Sequence, residues 1–248
     1  MNFALTTNTY CIKLHNTLQY IYIIVVQFRQ QEGDKTMQER LLITMKENPN
    51  VILRAIPGHF ITPNAHSNYY LDMTAIKSRT HESHAAALEL AKKIPPTTEV
   101  DTIICMEGPL VIGAYLADEL TKNGILNVNS YKAINVISTE LSSAGQYIFR
   151  DNTKPMLEGK NVIILVATAA TGQTIAKTAE GVKYYGAKVK GICSVFSVGT
   201  TCFGKPIYSL FSVKDLPDYR ISKAEECPMC KNGEPVYAIA NPFGYSKI

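Results

Sequence analysis

Residues 162–174, VIILVATAATGQT, combine side chains able to bind an anion with a means of presenting them. Val162, Ile163, Ile164, Leu165 and Val166 form an unbroken apolar run rich in β-branched residues, the pattern of a parallel strand covered on both faces. The run leads into Thr168, Ala169, Ala170, Thr171, Gly172, Gln173 and Thr174, whose hydroxyls and backbone N–H groups can converge on a phosphate. Residues 175–185 read as a helix, and a helix N-terminus supplies free N–H groups and a dipole that favours negative charge. The competing reading is an ordinary strand-to-helix connection. Glu107 precedes Gly108 at another predicted strand end, where a carboxylate can recruit Mg²⁺ or contact a ribose, or stand as an exposed loop acid. Cys227 and Cys230 are half of a zinc site with no second pair at a familiar spacing. Cys193, Cys202 or a second copy of the chain could complete it, and the alternative is a reduced pair in a tight C-terminal turn.

The elements that must position these residues alternate between strand and helix. Residues 37–48 have helical periodicity through Leu41, Leu42 and Met45 and stop before Pro49. Residues 83–94 form a second predicted helix: Ser83 can cap it, Lys92 and Lys93 suit its negative end, and Pro95 and Pro96 terminate it. Strands are predicted at 102–106, 133–138, 146–149, 162–166, 189–196 and 206–213, with helices at 111–122 and 175–185. This alternation predicts an α/β fold, a mainly parallel twisted sheet flanked by helices. Ligands of such sheets sit at the carboxyl ends of the strands, so the turn after Met106 and the loop after Val166 should meet.

These residues resemble a known family, the type I phosphoribosyltransferases, nearest to orotate phosphoribosyltransferase, over about residues 37–248. The family motif is a hydrophobic strand, two acidic residues, two variable residues, then Thr-Thr-Gly-x-Thr; this chain keeps Thr171, Gly172 and Thr174. Val166 and Ala167 stand where the acidic pair binds the ribose hydroxyls of phosphoribosyl pyrophosphate (PRPP), a loss of roughly 1.5–3 kcal/mol per charge-assisted hydrogen bond. Gly58, His59, Phe60, Ile61 and Thr62 through His66, Ser67, Tyr69, Tyr70 and Asp72 are similar to the family's N-terminal substrate-binding segment, with Pro63 and Asn64 replacing a Ser-Gly turn. The resemblance implies a small N-terminal substrate-binding subdomain and makes His66, Ser67 and Tyr70 candidates for the base pocket. Glu107, Gly108 and Pro109 are similarly identified as the pyrophosphate loop. Residues 136–159 resemble the catalytic loop and its hairpin, with Thr139 at the position of the lysine that neutralises the departing pyrophosphate; Arg150 and Lys154 are possible substitutes. Cys227-Pro228-Met229-Cys230 followed by Gly233 and Pro235 is similar to the tail of some orotate phosphoribosyltransferases.

The resemblance implies transfer of a phosphoribosyl group from PRPP to a nucleobase, with release of pyrophosphate, Mg²⁺ as cofactor in a catalytic member, and a homodimer. The substitutions at 166, 167 and 139 imply a severe catalytic defect. They keep open a second reading, a non-catalytic sensor of a nucleotide or other phosphorylated small molecule, and a third, a structural subunit of an active partner.

The 248 residues, 46% hydrophobic, suffice for a sizeable core. A formal charge of +4 without a basic cluster argues against nucleic acid as a partner. Six scattered cysteines point to a reducing cytoplasm. The apolar stretch at 18–28, LQYIYIIVVQF, falls short of the roughly 20 residues of a membrane span and lacks a signal peptide's flanks, so no membrane is expected as a partner. Codons for Gln31, Glu32 and Gly33 can read AGGAGG, a bacterial ribosome-binding sequence, and Asp34, Lys35 and Thr36 provide a spacer before Met37. The expectation is translation from Met37, with residues 1–36 a non-native extension; the alternative is a genuine strand or amphipathic anchor.

Overall fold

The computed structural model describes residues 40–124, 126–142 and 146–248; the extension at 1–36 and the start at Met37 lie outside the described residues. Strands β1 (Leu41–Thr44), β2 (Ile52–Thr62) and β3 (Ala65–Asp72) come first, followed by helices α1 (Thr74–Ser78) and α2 (Thr80–Lys93). Next come β4 (Thr102–Met106), α3 (Leu110–Thr121), β5 (Asn135–Ser138) and a small hairpin of β6 (Glu140–Leu141) and β7 (Tyr147–Ile148). The segment β8 (Asn161–Ala169), α4 (Gln173–Tyr184), β9 (Lys188–Ser197), β10 (Thr201–Cys202) and β11 (Lys205–Ser212) follows. The chain closes with β12 (Ile221–Ser222), α5 (Pro228–Lys231), β13 (Ala238–Asn241) and β14 (Gly244–Lys247).

The principal sheet has the order β10-β11-β9-β8-β4-β5, parallel throughout except for β10. The continuous apolar character of β8 has a direct structural cause. Ile163, Leu165 and Ala167 point into a core shared with Ala86 and Leu90 of α2 and with Ile112 and Leu116 of α3. Val162, Ile164 and Val166 point into a second core with Ile175, Ala179 and Val182 of α4. Alternate side chains therefore enter opposite layers, and each large one, once buried, contributes about 1.5–3 kcal/mol relative to exposure.

The second sheet joins distant parts of the chain, in the order β12-β3-β2-β13-β14 with β1 also paired to β2. The substrate-binding subdomain expected from the N-terminal segment is thus completed by the last strands. Leu53, Ala55 and Leu71 of this sheet join the principal core, while Ile56, Phe60, Ala238 and Ala240 form a small separate cluster. A register shift between Pro57 and Phe60 bends β2 where proline cannot donate to the ladder.

Two local expectations are corrected. The helix predicted at 37–48 is strand β1 in its described part, in register with β2 from Leu41 opposite Ala55 to Thr44 opposite Ile52. Only Met45 of its three apolar positions reaches the core; Leu41 and Leu42 are 38% and 63% exposed, and the edge of β2 supplied backbone partners instead. Ser83 does not cap α2, which begins at Thr80; its buried hydroxyl donates to the carbonyl of Ile76 at 2.8 Å.

Candidate functional site

A cavity of about 210 Å³ opens at the carboxyl ends of β4 and β8. Glu107, which follows β4, and Ala170, Thr171 and Gly172, which follow β8, share its wall, because parallel neighbours release their loops at the same edge. Thr168 and Ala169, expected in the loop, are the last residues of β8, yet both still line the cavity. Thr174 also lines it, whereas Gln173, Gly108 and Pro109 are not among the lining residues. Gly172 occupies the N-cap of α4 with φ +74°, a left-handed conformation that favours glycine, and no side chain caps the helix. In the first turn of α4 the Gln173 N–H lies 3.5 Å from Thr171 Oγ1, at the helix end where an anion is favoured.

Glu107 itself has φ +63° and is followed by Gly108 at +99°, so the turn after β4 is held in backbone conformations that ordinary residues avoid. Burial pushes the Glu107 carboxyl above its usual range, against the charge of Lys77 and a hydrogen bond with Thr174. The Lys77 ammonium donates to the Glu107 carbonyl at 3.2 Å and to the Pro242 carbonyl at 2.7 Å. Burial lowers the pKa of Lys77 despite the opposing influence of Glu107 and Asp72, so desolvation outweighs pairing for both groups. Among the described lining residues, Lys77 and Glu107 are the one cation and the one acid.

The rest of the wall mixes aliphatic and small polar residues with four aromatic rings, those of Phe60, Tyr69, Tyr70 and Tyr219. Burial, with Asp72 and Tyr245 adding to it, pushes the Tyr70 hydroxyl up to about 12, so it stays a neutral donor at physiological pH. Ser67 lines the cavity, and its hydroxyl donates to the Tyr69 carbonyl at 2.8 Å. Pro63 and Asn64, in the turn between β2 and β3, are also on the wall.

His66 is not on the wall. Its Nδ1 lies 3.1 Å from His59 Nε2 and 3.2 Å from Cys230 Sγ, so the two histidines meet the C-terminal cysteines. The other cysteines considered as partners lie elsewhere: Cys193 is wholly buried in the principal core, and Cys202 Sγ approaches the Gly172 carbonyl at 3.8 Å. Burial raises the Cys227 thiol, but hydrogen bonds from Cys230 and its neighbours outweigh that and hold it below the ordinary range.

The basic residues considered as substitutes for the loop lysine are also off the wall. Arg150 makes a two-pronged pair with Glu140, at 2.8 and 2.6 Å, and Lys154 pairs with Asp151. The hydroxyl of Thr139, at the lysine position itself, lies 3.1 Å from Met106 Sδ. Sequence reasoning did not single out Lys77, Tyr219 or Pro242. Lys77 stands in a five-residue helix outside every motif, and only the folding of α1 against the turn after β4 gives it a role.

No family model matches the chain. It is 25% identical over 204 residues to an orotate phosphoribosyltransferase of Caldanaerobacter subterraneus, a match spanning 81% of this chain and 96% of that protein. It is 28% identical over 188 residues to the orotate phosphoribosyltransferase of Thermotoga maritima, spanning 72% and 87% respectively. Among solved structures, a phosphoribosyltransferase from Corynebacterium diphtheriae superposes with a TM-score of 0.47 and 15% identity over 66% of this chain and 90% of that one. The chain thus has a mixed α/β fold and is similar in sequence to orotate phosphoribosyltransferases.

Proposed function

We propose that the cavity binds PRPP and that the chain acts as an orotate phosphoribosyltransferase-like protein, joining a nucleobase nitrogen to the phosphoribosyl group with release of pyrophosphate. One observation carries this reading: the loops after two adjacent parallel strands share a single cavity with Lys77 and with the rings of Phe60, Tyr69, Tyr70 and Tyr219. In this reading residues 168–174 hold the 5′-phosphate through hydroxyls and the first N–H groups of α4. Lys77 and the turn at Glu107, Gly108 and Pro109 attend the pyrophosphate. Ser67, Tyr70 and the neighbouring aromatic rings receive the base, with stacking and a neutral phenol donor suited to a planar heterocycle. His66 acts from behind this pocket by supporting its wall.

The residues present are compatible with Mg²⁺. One carboxylate, Glu107, together with phosphate oxygens of the ligand is an ordinary set of ligands for this ion, which when bound would offset charge on the pyrophosphate. The assigned functional unit is residues 37–248, acting in the cytoplasm as a homodimer, with phosphorylated small molecules as ligands and neither nucleic acid nor membrane as partner.

A second reading, a non-catalytic sensor of a phosphorylated ligand, is favoured by a specific observation. Val166, at the acidic-pair position, is 1% exposed and directed into the apolar core, and Arg150 and Lys154 are committed to surface ion pairs. Pyrophosphate release from PRPP and Mg²⁺, measured with orotate and with a mixed nucleobase pool, separates the readings. Base-dependent release supports the transferase. PRPP binding by calorimetry without turnover supports the sensor; absence of PRPP binding overturns the transferase, and absence of binding to PRPP, nucleotides and phosphorylated sugars alike overturns both.

A further inference from the structure

We propose that His59, His66, Cys227 and Cys230 hold one Zn²⁺ ion in a closed structural site that fastens the C-terminal segment to the β2–β3 hairpin. The four candidate ligand atoms, two nitrogens and two sulfurs, all lie within 4.8 Å of one another. Their separations can be compared with a zinc tetrahedron. Bond lengths of about 2.0–2.1 Å to nitrogen and about 2.3 Å to sulfur require ligand–ligand edges of roughly 3.3 Å for N–N and roughly 3.6 Å for N–S. The two imidazole nitrogens are 3.1 Å apart, and the three short nitrogen–sulfur separations are 3.7, 3.5 and 3.2 Å. A central ion therefore needs only small adjustments of the side chains.

The surroundings point the same way. His59 directs Nε2 at the cluster while its Nδ1 lies 3.1 Å from the Glu234 carbonyl, the outer hydrogen bond that fixes the tautomer of a metal-bound imidazole. His59 and Cys227 are buried, His66 is nearly so, and Cys230 is exposed, which leaves an entry path for the ion on one side. Two thiolates and two neutral imidazoles in a compact tetrahedral arrangement suit Zn²⁺, and four protein ligands leave no open position for a substrate.

The site also answers a mechanical need. The second sheet gathers strands distant in sequence: β2 and β3 send Leu53, Ala55 and Leu71 into the principal core, whereas the described cluster joining β13 to β2 has only four buried residues, so the C-terminal strands are fastened by little burial. Two ligands lie on β2 and β3; of the other two, Cys227 is the N-cap of α5 and Cys230 its third residue, between β12 and β13. One ion would therefore cross-link the strands that carry Phe60, Ser67 and Tyr70 to the segment leading to Ala240, Asn241 and Pro242 on the cavity wall. None of the four ligands lines the cavity, so this proposal stands or falls separately from the proposed transferase activity.

The test is elemental analysis of the full chain, purified without a histidine tag under reducing conditions and supplied with Zn²⁺, alongside Cys230→Ser and His66→Ala variants. The expected result is one tightly held zinc per chain, a lower melting temperature after chelation, and a loss of zinc affinity exceeding about 100-fold in each variant, since losing a direct ligand should cost more than losing an outer partner. Cys230→Ser is the more telling variant because its exposed side chain can be changed without opening the core. Cobalt substitution should give the visible absorption of a tetrahedral thiolate site in the wild type and alter it in the variant. A zinc-free wild type after reconstitution, a Cys227–Cys230 disulfide under the same reducing conditions, a different transition metal in place of zinc, or variants that retain zinc unchanged would each overturn the proposal.

Discussion

Val166 and Ala167 are adjacent in the chain but occupy different environments. Val166 enters the apolar layer beneath α4, while Ala167 faces the opposite core and also borders the cavity, where an added carboxylate can reach its polar space. Val166→Glu should therefore unfold the protein more readily than Ala167→Asp, by on the order of 3–5 kcal/mol for an unpaired buried charge. Urea titration of both variants reads this directly; equal losses would contradict the assignment of faces along β8. Glu107 gives a second prediction. Its folded-state pKa is raised, so its contribution to stability is present below the unfolded-state value and is lost as pH rises through the folded-state value. At neutral pH Glu107→Gln, which stays uncharged, should be more stable than wild type, and the gap should close in acid. Unfolding at both pH values measures it, and a gap that does not change with pH would remove Glu107 as its source.

At the level of elements, the loop into α4 depends on Gly172. A Cβ added there would stand 3.0 Å from Cys202 Sγ, on a backbone already in the left-handed region. Gly172→Ala should cost about 1–2 kcal/mol from backbone conformation alone and weaken phosphate-ligand binding by moving the N–H groups of α4. Combining it with Cys202→Ala should relieve the steric part and leave the conformational part. Thermal melts and PRPP titration of the single and double variants separate the two contributions.

For the whole molecule, the link between the sheets includes a buried ion pair. Arg54 of β2 donates to both carboxylate oxygens of Glu82 in α2, at 2.7 and 3.0 Å, and the two side chains are 12% and 3% exposed. Helix α2 packs in turn on the principal sheet through Ala86 and Leu90. Arg54→Met would leave the Glu82 carboxylate buried with only the largely exposed Arg79 as ionic partner, and should cost about 3–5 kcal/mol in denaturant unfolding. Arg54→Met with Glu82→Leu should recover most of that loss, and failure to recover would show that the pair does not act as a unit.

Local chemistry carried much of the architecture. The apolar run at residues 162–166 could only be a doubly covered strand, Pro95 and Pro96 marked the end of α2, and the alternation from residue 102 to 213 defined a parallel sheet whose strand ends supply the cavity. Those signals lie within a few residues of the structure they specify. Other features depend on partners distant in sequence. Residues 41–44 are helical by pattern but extended because β2 offers an edge to pair with. Lys77 gains its place from the carbonyls of Glu107 and Pro242. His59 and Cys227, 168 positions apart, meet because β12 pairs with β3 and β13 with β2, which returns the C-terminal strands to the β2–β3 hairpin. The local pattern thus determined which segments are strands and helices, while packing between remote segments decided which side chains share a site.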